Sequence, residues 1–142
     1  MQKYHNTGAN NGNNILLRRS RGTLAAPLIV EDGDRIGLIG GYGHDATGFV
    51  TSSYITFVVD GTPGTNDMPG KIVFNTTAVG ASSGTERMSI DATGSLSINE
   101  TTTAPAAVAS QARIFAEDNG SGKTRIMAQF QTGSAVQIGI EV

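Results

Sequence analysis

From Ile15 onward the hydrophobic positions of the chain repeat at every second residue. Ile55, Phe57 and Val59 alternate with Thr56 and Val58, Ile72 and Phe74 flank Val73, Met88 and Ile90 bracket Ser89, and Leu96 and Ile98 bracket Ser97. Later, Ile126, Ala128 and Phe130 alternate with Met127 and Gln129, then Val136, Ile138 and Ile140 with Gln137 and Gly139. Successive side chains of a strand point to opposite faces, so this period predicts β-structure. The runs are short and rich in β-branched residues, which suits strands of about five residues.

Turn chemistry separates the runs. Asp32-Gly33, Asp60-Gly61, Pro63-Gly64, Pro69-Gly70, Thr93-Gly94, Asn119-Gly120 and Thr132-Gly133 sit where the chain must reverse. Gly tolerates positive φ, Asn and Asp bond their own turns, and Pro presets the first turn position. So many reversals between short strands predict an antiparallel or meandering all-β architecture rather than βαβ units. The one helix-like stretch, Thr103 to Ser110, is short, contains Pro105 and has no amphipathic face, so it reads as a linker between two β modules. The residues before Ile15 are an Asn/Gly-rich leader with almost nothing to bury. The expected organisation is a flexible leader at 1–14, a β module at 15–102, a linker at 103–110 and a C-terminal β module at 111–142.

Composition adds one constraint. The 142 residues suffice for one domain, but aromatics are only 6% and Trp is absent, while Gly numbers 19. Few large side chains supply little apolar area, and area drives burial. The core of a lone chain would be thin, and self-association would bury more surface without more aromatics. Net charge is −2 with a pI near 5.6, which gives no electrostatic case for nucleic acid. The basic run Arg18-Arg19-Ser20-Arg21 is short, lacks a neighbouring aromatic for base stacking, and reads as a solvated strand face. The absence of Cys excludes disulfides, thiolate zinc sites and Cys nucleophiles. No stretch approaches the length of a signal-peptide core or a membrane-spanning helix, so no membrane insertion is expected.

Four motifs invite a chemical reading. Gly120-Ser121-Gly122-Lys123-Thr124 ends like a phosphate loop, but Glu117 stands where its first Gly belongs and strand-like sequence follows. A hairpin turn is expected there. Gly41-Tyr42-Gly43-His44-Asp45-Ala46 has dinucleotide-fingerprint spacing, yet β-propensity sequence follows it instead of a helix N-terminus. Glu31-Asp32-Gly33-Asp34 gathers three carboxylates in four positions, but without the ligand spacing of a helix-loop-helix calcium site, so a connecting turn is the better reading. His5 and His44 are the only imidazoles, and no Gly-x-Ser-x-Gly elbow accompanies them. No catalytic, cofactor or metal residue is assigned, and no enzyme activity is expected. Glu86-Arg87, ahead of Met88-Ser89-Ile90, would direct its charges to opposite faces of a strand.

Val59-Asp60-Gly61-Thr62-Pro63-Gly64-Thr65-Asn66-Asp67-Met68-Pro69-Gly70-Lys71-Ile72-Val73-Phe74, followed by Thr85-Glu86-Arg87-Met88, resembles a segment common in tailed-bacteriophage fibre proteins. Arg19 to Thr23 with Gly33-Asp34, Gly41-Tyr42 and Phe49 is similar to the hairpin that precedes it in that family. The segment from Arg113 to Glu141 looks like a C-terminal β module of virion proteins. The resemblance covers most of the chain beyond Ile15. It implies short strands and hairpins in an intertwined trimeric β-prism or β-helix-like fibre module, ending in a C-terminal β-meander. It further implies a homotrimer on the surface of a phage particle, in tail or head. Other virion proteins would be its partners, and a host-surface glycan or outer-membrane protein its receptor. A capsid decoration or head-fibre protein that binds no receptor is one alternative, and a polysaccharide-degrading tailspike fragment is another. Many relatives carry a virion-anchoring N-terminal domain and a self-cleaving C-terminal chaperone, where this sequence has a leader of about a dozen residues and no segment of chaperone size. The expectation is therefore a short fibre or a mature distal fragment. The motif is a folding signature and carries over no catalytic residue. Exposed loops are expected at Gly40 to Gly48 and Thr62 to Pro69, with no receptor contact assigned to either.

Overall fold

A computed structural model describes residues 15–140, so the expected leader and His5 lie outside the described residues. Within them the chain is all-β, with ten strands and no helix. A small ladder, β1 (Arg21–Gly22) with β2 (Pro27–Leu28), precedes a five-stranded sheet. That sheet is an antiparallel meander of β3 (Arg35–His44), β4 (Phe49–Val59), β5 (Gly70–Thr77), β6 (Gly84–Ile90) and β7 (Leu96–Ile98), each strand beside its neighbour in sequence. A second sheet holds β8 (Arg113–Asp118), β9 (Thr124–Gln129) and β10 (Val136–Ile140), again a meander, with β9 central.

The strands are not uniformly short. β3 and β4 run for 10 and 11 residues, because Gly40–His44, expected as loop, stays paired with the start of β4. The reversal needs only Asp45 to Gly48. The Asp45 carboxylate accepts from the Thr47 amide at 2.9 Å and the Gly48 amide at 3.0 Å, and the Asp45 amide donates to the Gly48 carbonyl at 3.0 Å. A turn closed by its own carboxylate lets the ladder continue to its edge.

The Pro-Gly-rich segment after Val59 is the β4–β5 connection. The Asp60 amide donates to the Pro69 carbonyl at 3.0 Å, and Gly64 and Asp67 exchange backbone bonds at 3.0 and 3.2 Å. Gly61 has φ of +130° and faces Pro69, which explains Gly there. The Asp60 carboxylate reaches across to the Ala92 amide at 2.9 Å and to Lys71 Nζ at 3.5 Å, tying this connection to the β6–β7 turn. Thr85 to Met88 lies in β6.

Beyond β7, the chain passes alongside β8: Glu100 forms a parallel bridge with Ala116, and the Thr101 amide donates to the Ala116 carbonyl at 2.7 Å. The segment 103–110 is irregular, turning at Ala109–Ser110. Arg113 holds it by donating to the Ala106 carbonyl at 3.0 Å.

Interior packing is scarce. The buried apolar side chains among the described residues are Val30, Val59 and Val73 with the first two sheets, and Phe115, Ala116, Met127 and Ala128 in the last. Val59, 1% exposed, is the largest fully buried side chain among the described residues. Val59→Ala should therefore cost about 2 kcal/mol and lower the thermal midpoint by several degrees, measured by circular dichroism.

Candidate functional site

Register in the five-stranded sheet sorts its side chains onto two unlike faces, because residues directly opposite each other share a face. One row runs Ile39, Ile55, Phe74, Met88, Ile98 across all five strands. The adjacent row runs Gly37, Phe57, Ile72, Ile90, Leu96. Both rows are apolar from edge to edge. The opposite face carries Leu38, Thr56, Val73, Ser89 and Ser97 in register. A single-layer sheet with such a face calls for a second layer. The chain supplies only part of one: Leu17 sits against Gly37, where a Cβ would lie 2.4 Å from Leu17 Cδ1. The strap residues Leu16 and Leu17, with Phe57, Met68, Pro69 and Ile72, frame an open groove of about 470 Å³. Elsewhere in the rows Ile39, Ile72, Ile90 and Leu96 are exposed, Leu96 to 59%, while Ile55, Phe57, Phe74, Met88 and Ile98 are half-buried.

The strap is held by charge. Asp34 is buried and accepts from Arg19 Nη2 at 3.0 Å, from Arg21 Nε at 2.7 Å and Nη2 at 3.0 Å, and from the Glu31 amide at 3.0 Å. Arg21 also pairs with Glu31 at 2.6 Å, and Arg19 donates to the Arg35 carbonyl at 2.8 Å. The Arg21 hydrogen bond, then the Glu31 amide, hold the Asp34 carboxyl well below the usual carboxylate range, and the same bond raises Arg21. The run Arg18 to Arg21 is thus not simply a solvated strand face, since Arg19 and Arg21 spend their charge on an internal acid. Their spacing of two, which turns both to one side of an extended chain, was the signal for a shared acidic partner.

The other singled-out motifs resolve into loop chemistry. Asp32 accepts from the Gly61 amide at 2.8 Å while Glu31 and Asp34 both pair with Arg21, so the three carboxylates of Glu31 to Asp34 are taken up by internal partners. No group of His, Asp or Glu suited to a metal ion occurs among the described residues. In the Gly120 to Thr124 loop, the Asp118 carboxylate accepts from the Gly120 amide at 2.8 Å and the Gly122 amide at 3.0 Å, occupying amides that a phosphate would need. Gly41 to Ala46 runs from β3 into the hairpin turn, with His44 edge-on to Phe49 at 5.4 Å. Arg87 is the extra residue of a bulge opposite Phe74 and Asn75: Glu86 pairs with Asn75, while Arg87 donates to Thr76 Oγ1 at 2.9 Å.

No family model matches the chain, and no curated protein matches its sequence. Among solved structures it is similar to the carboxy-terminal domain of the L-shaped tail fibre of bacteriophage T5, with a TM-score of 0.58 and 22% identity. The match covers 70% of this chain and 37% of that one, so this chain spans well under half of that structure. The fold resembles a phage tail-fibre domain.

Because the folded Asp34 is depressed, its contribution to stability is complete above the ordinary pKa of ~3.9 and is lost as pH falls below it toward the folded value. Asp34→Asn should lower the urea midpoint at pH 7 and flatten its decline between about pH 5 and pH 2. An unchanged acid profile would mean that Asp34 does not govern it.

Proposed function

We propose that this chain is a structural module of a phage-type fibre, homotrimeric and without catalysis, which serves attachment to a host-cell surface. The observation that carries the reading is the pair of apolar rows crossing the whole five-stranded sheet, which the residues Ile15 to Leu17 cover only in part. A tail-fibre-like fold and a thin interior support it. Three copies that turn this face toward a common axis would form the missing core between them, in the manner of a β-prism.

The magnitudes favour assembly. A standard interface of ~1,600 Å², about two-thirds apolar, returns roughly 25 kcal/mol gross. The cost of association is ~4–15 kcal/mol before side-chain ordering. Attachment would use the loop tips, where a β scaffold presents residues to solvent without strain on its ladders. The virion surface is the proposed location, with other virion proteins as neighbours and a host glycan or outer-membrane protein as receptor.

Light scattering after size exclusion should give three times the 14.7 kDa of one chain at micromolar concentration. A stable species of one chain mass would overturn the reading. Phe74→Asp, which places a carboxylate in the central apolar row, should raise the dissociation concentration by roughly 100-fold or more. In a host-adsorption assay, purified protein should compete with particles for cells, and no competition would remove the attachment role.

A further inference from the structure

The hairpin from Ile36 to Val59 is nearly free of charge. Of the ten Lys/Arg and twelve Asp/Glu residues of the chain it holds one, Asp45, and that carboxylate is tied into its own turn. β3 is also an edge strand of the five-stranded sheet. Long edge strands are usually blunted by Lys, Pro, inward charges or bulges, because their unpaired amides and carbonyls invite another chain. From Gly37 to His44 β3 has none of these. Its one bulged residue is Ile36, at the start, and the second irregularity of the pair puts its extra residue, Ser52, on β4. The other free edges differ. β7 has three residues, β10 has five with a bulged Ile138, and β8 is flanked by Glu100 and Thr101.

The same hairpin projects beyond its support. The β5 ladder pairs with β4 only as far as Ser53, with one further bond from the Thr77 hydroxyl to the Thr51 carbonyl at 2.8 Å, so Tyr42 to His44 and Phe49 to Val50 project as a two-stranded arm. A two-stranded ribbon is marginal in water. Here it leaves Tyr42 55% and Phe49 77% exposed. Both features call for a cover that is uncharged and apolar. A second copy of this chain offers one in its open rows, whereas a charged surface polymer would meet no countercharge along β3.

We infer that the β3 edge and its arm form the junction between neighbouring copies, each arm being covered by the next chain around the assembly. The inference rests on the homotrimer proposed above and deepens it by assigning the seam. Gly43 gives a clean test: a Cβ there meets nothing within 4 Å, and its φ is not in the left-handed region, so a side chain costs the single chain little. Gly43→Lys should raise the concentration of half-dissociation roughly ten-fold or more with the circular dichroism spectrum retained, while Ala81→Lys, in the exposed β5–β6 turn, should leave it unchanged. In the unmutated protein, hydrogen exchange should show the outward amides of β3 protected relative to those of the Asp45–Gly48 turn. A trimer whose mass and dissociation survive Gly43→Lys, or whose outward β3 amides exchange as fast as the turn, overturns the seam and leaves the trimer standing. A monomeric unmutated protein overturns both.

Discussion

A β-sheet can bury only what a second layer covers, and in this chain the layer is missing where the apolar side chains are most numerous. Two rows spanning five strands commit the largest hydrophobic area to one side of one sheet, and Ile15 to Leu17 shade only its corner. Everything else follows from that imbalance. Polar loops are held by hydrogen bonds rather than by packing, and among the described residues buried apolar side chains are few, with Val59 the largest that is fully enclosed. Such a chain carries much of its apolar area on its surface.

The Asp34 knot sets which part of that surface remains open. By gripping Arg19 and Arg21 it brings the strap across the end of the sheet, and Gly37 leaves the space into which Leu17 fits. The loop of Glu31 to Asp34 is stitched to the end of β4 as well, through Gly33 to the Val59 carbonyl at 2.9 Å and the Val59 amide to Asp34 at 2.8 Å. One buried acid therefore couples the strap, the loop and the best-packed residue. A paired acid of this kind is costly to break by removing one partner, because the other charges are then left without theirs.

Much of this was legible in the sequence. Alternation marked the central strands from Ile55 to Ile98, and the Asp-Gly and Pro-Gly pairs marked their reversals, because both signals act within a few residues. What escaped was set by partners distant in the chain. The extension of β3 through Gly40–His44 depends on β4 holding it, since glycines alone express no preference for a ladder. The Arg19–Arg21–Asp34 contact spans 13 to 15 residues and needed the fold to become visible. Even the apolar rows, whose members each appear in an alternating run, line up only through registers that three bulges adjust.

The reversals at Asp45, Asp91 and Asp118 share a device: one carboxylate gathers the amides that follow it. Asp91 accepts from the Thr93 amide at 2.8 Å and the Ser95 amide at 3.0 Å, and the Thr93 hydroxyl is the foremost cause of its lowered pKa. Turns built this way carry most of their own instructions, although the Asp91 turn also lends its Ala92 amide to Asp60 at 2.9 Å. A side-chain change at the tip of such a turn leaves both the gathering carboxylate and the ladder in place, so its cost is confined to a few exposed positions.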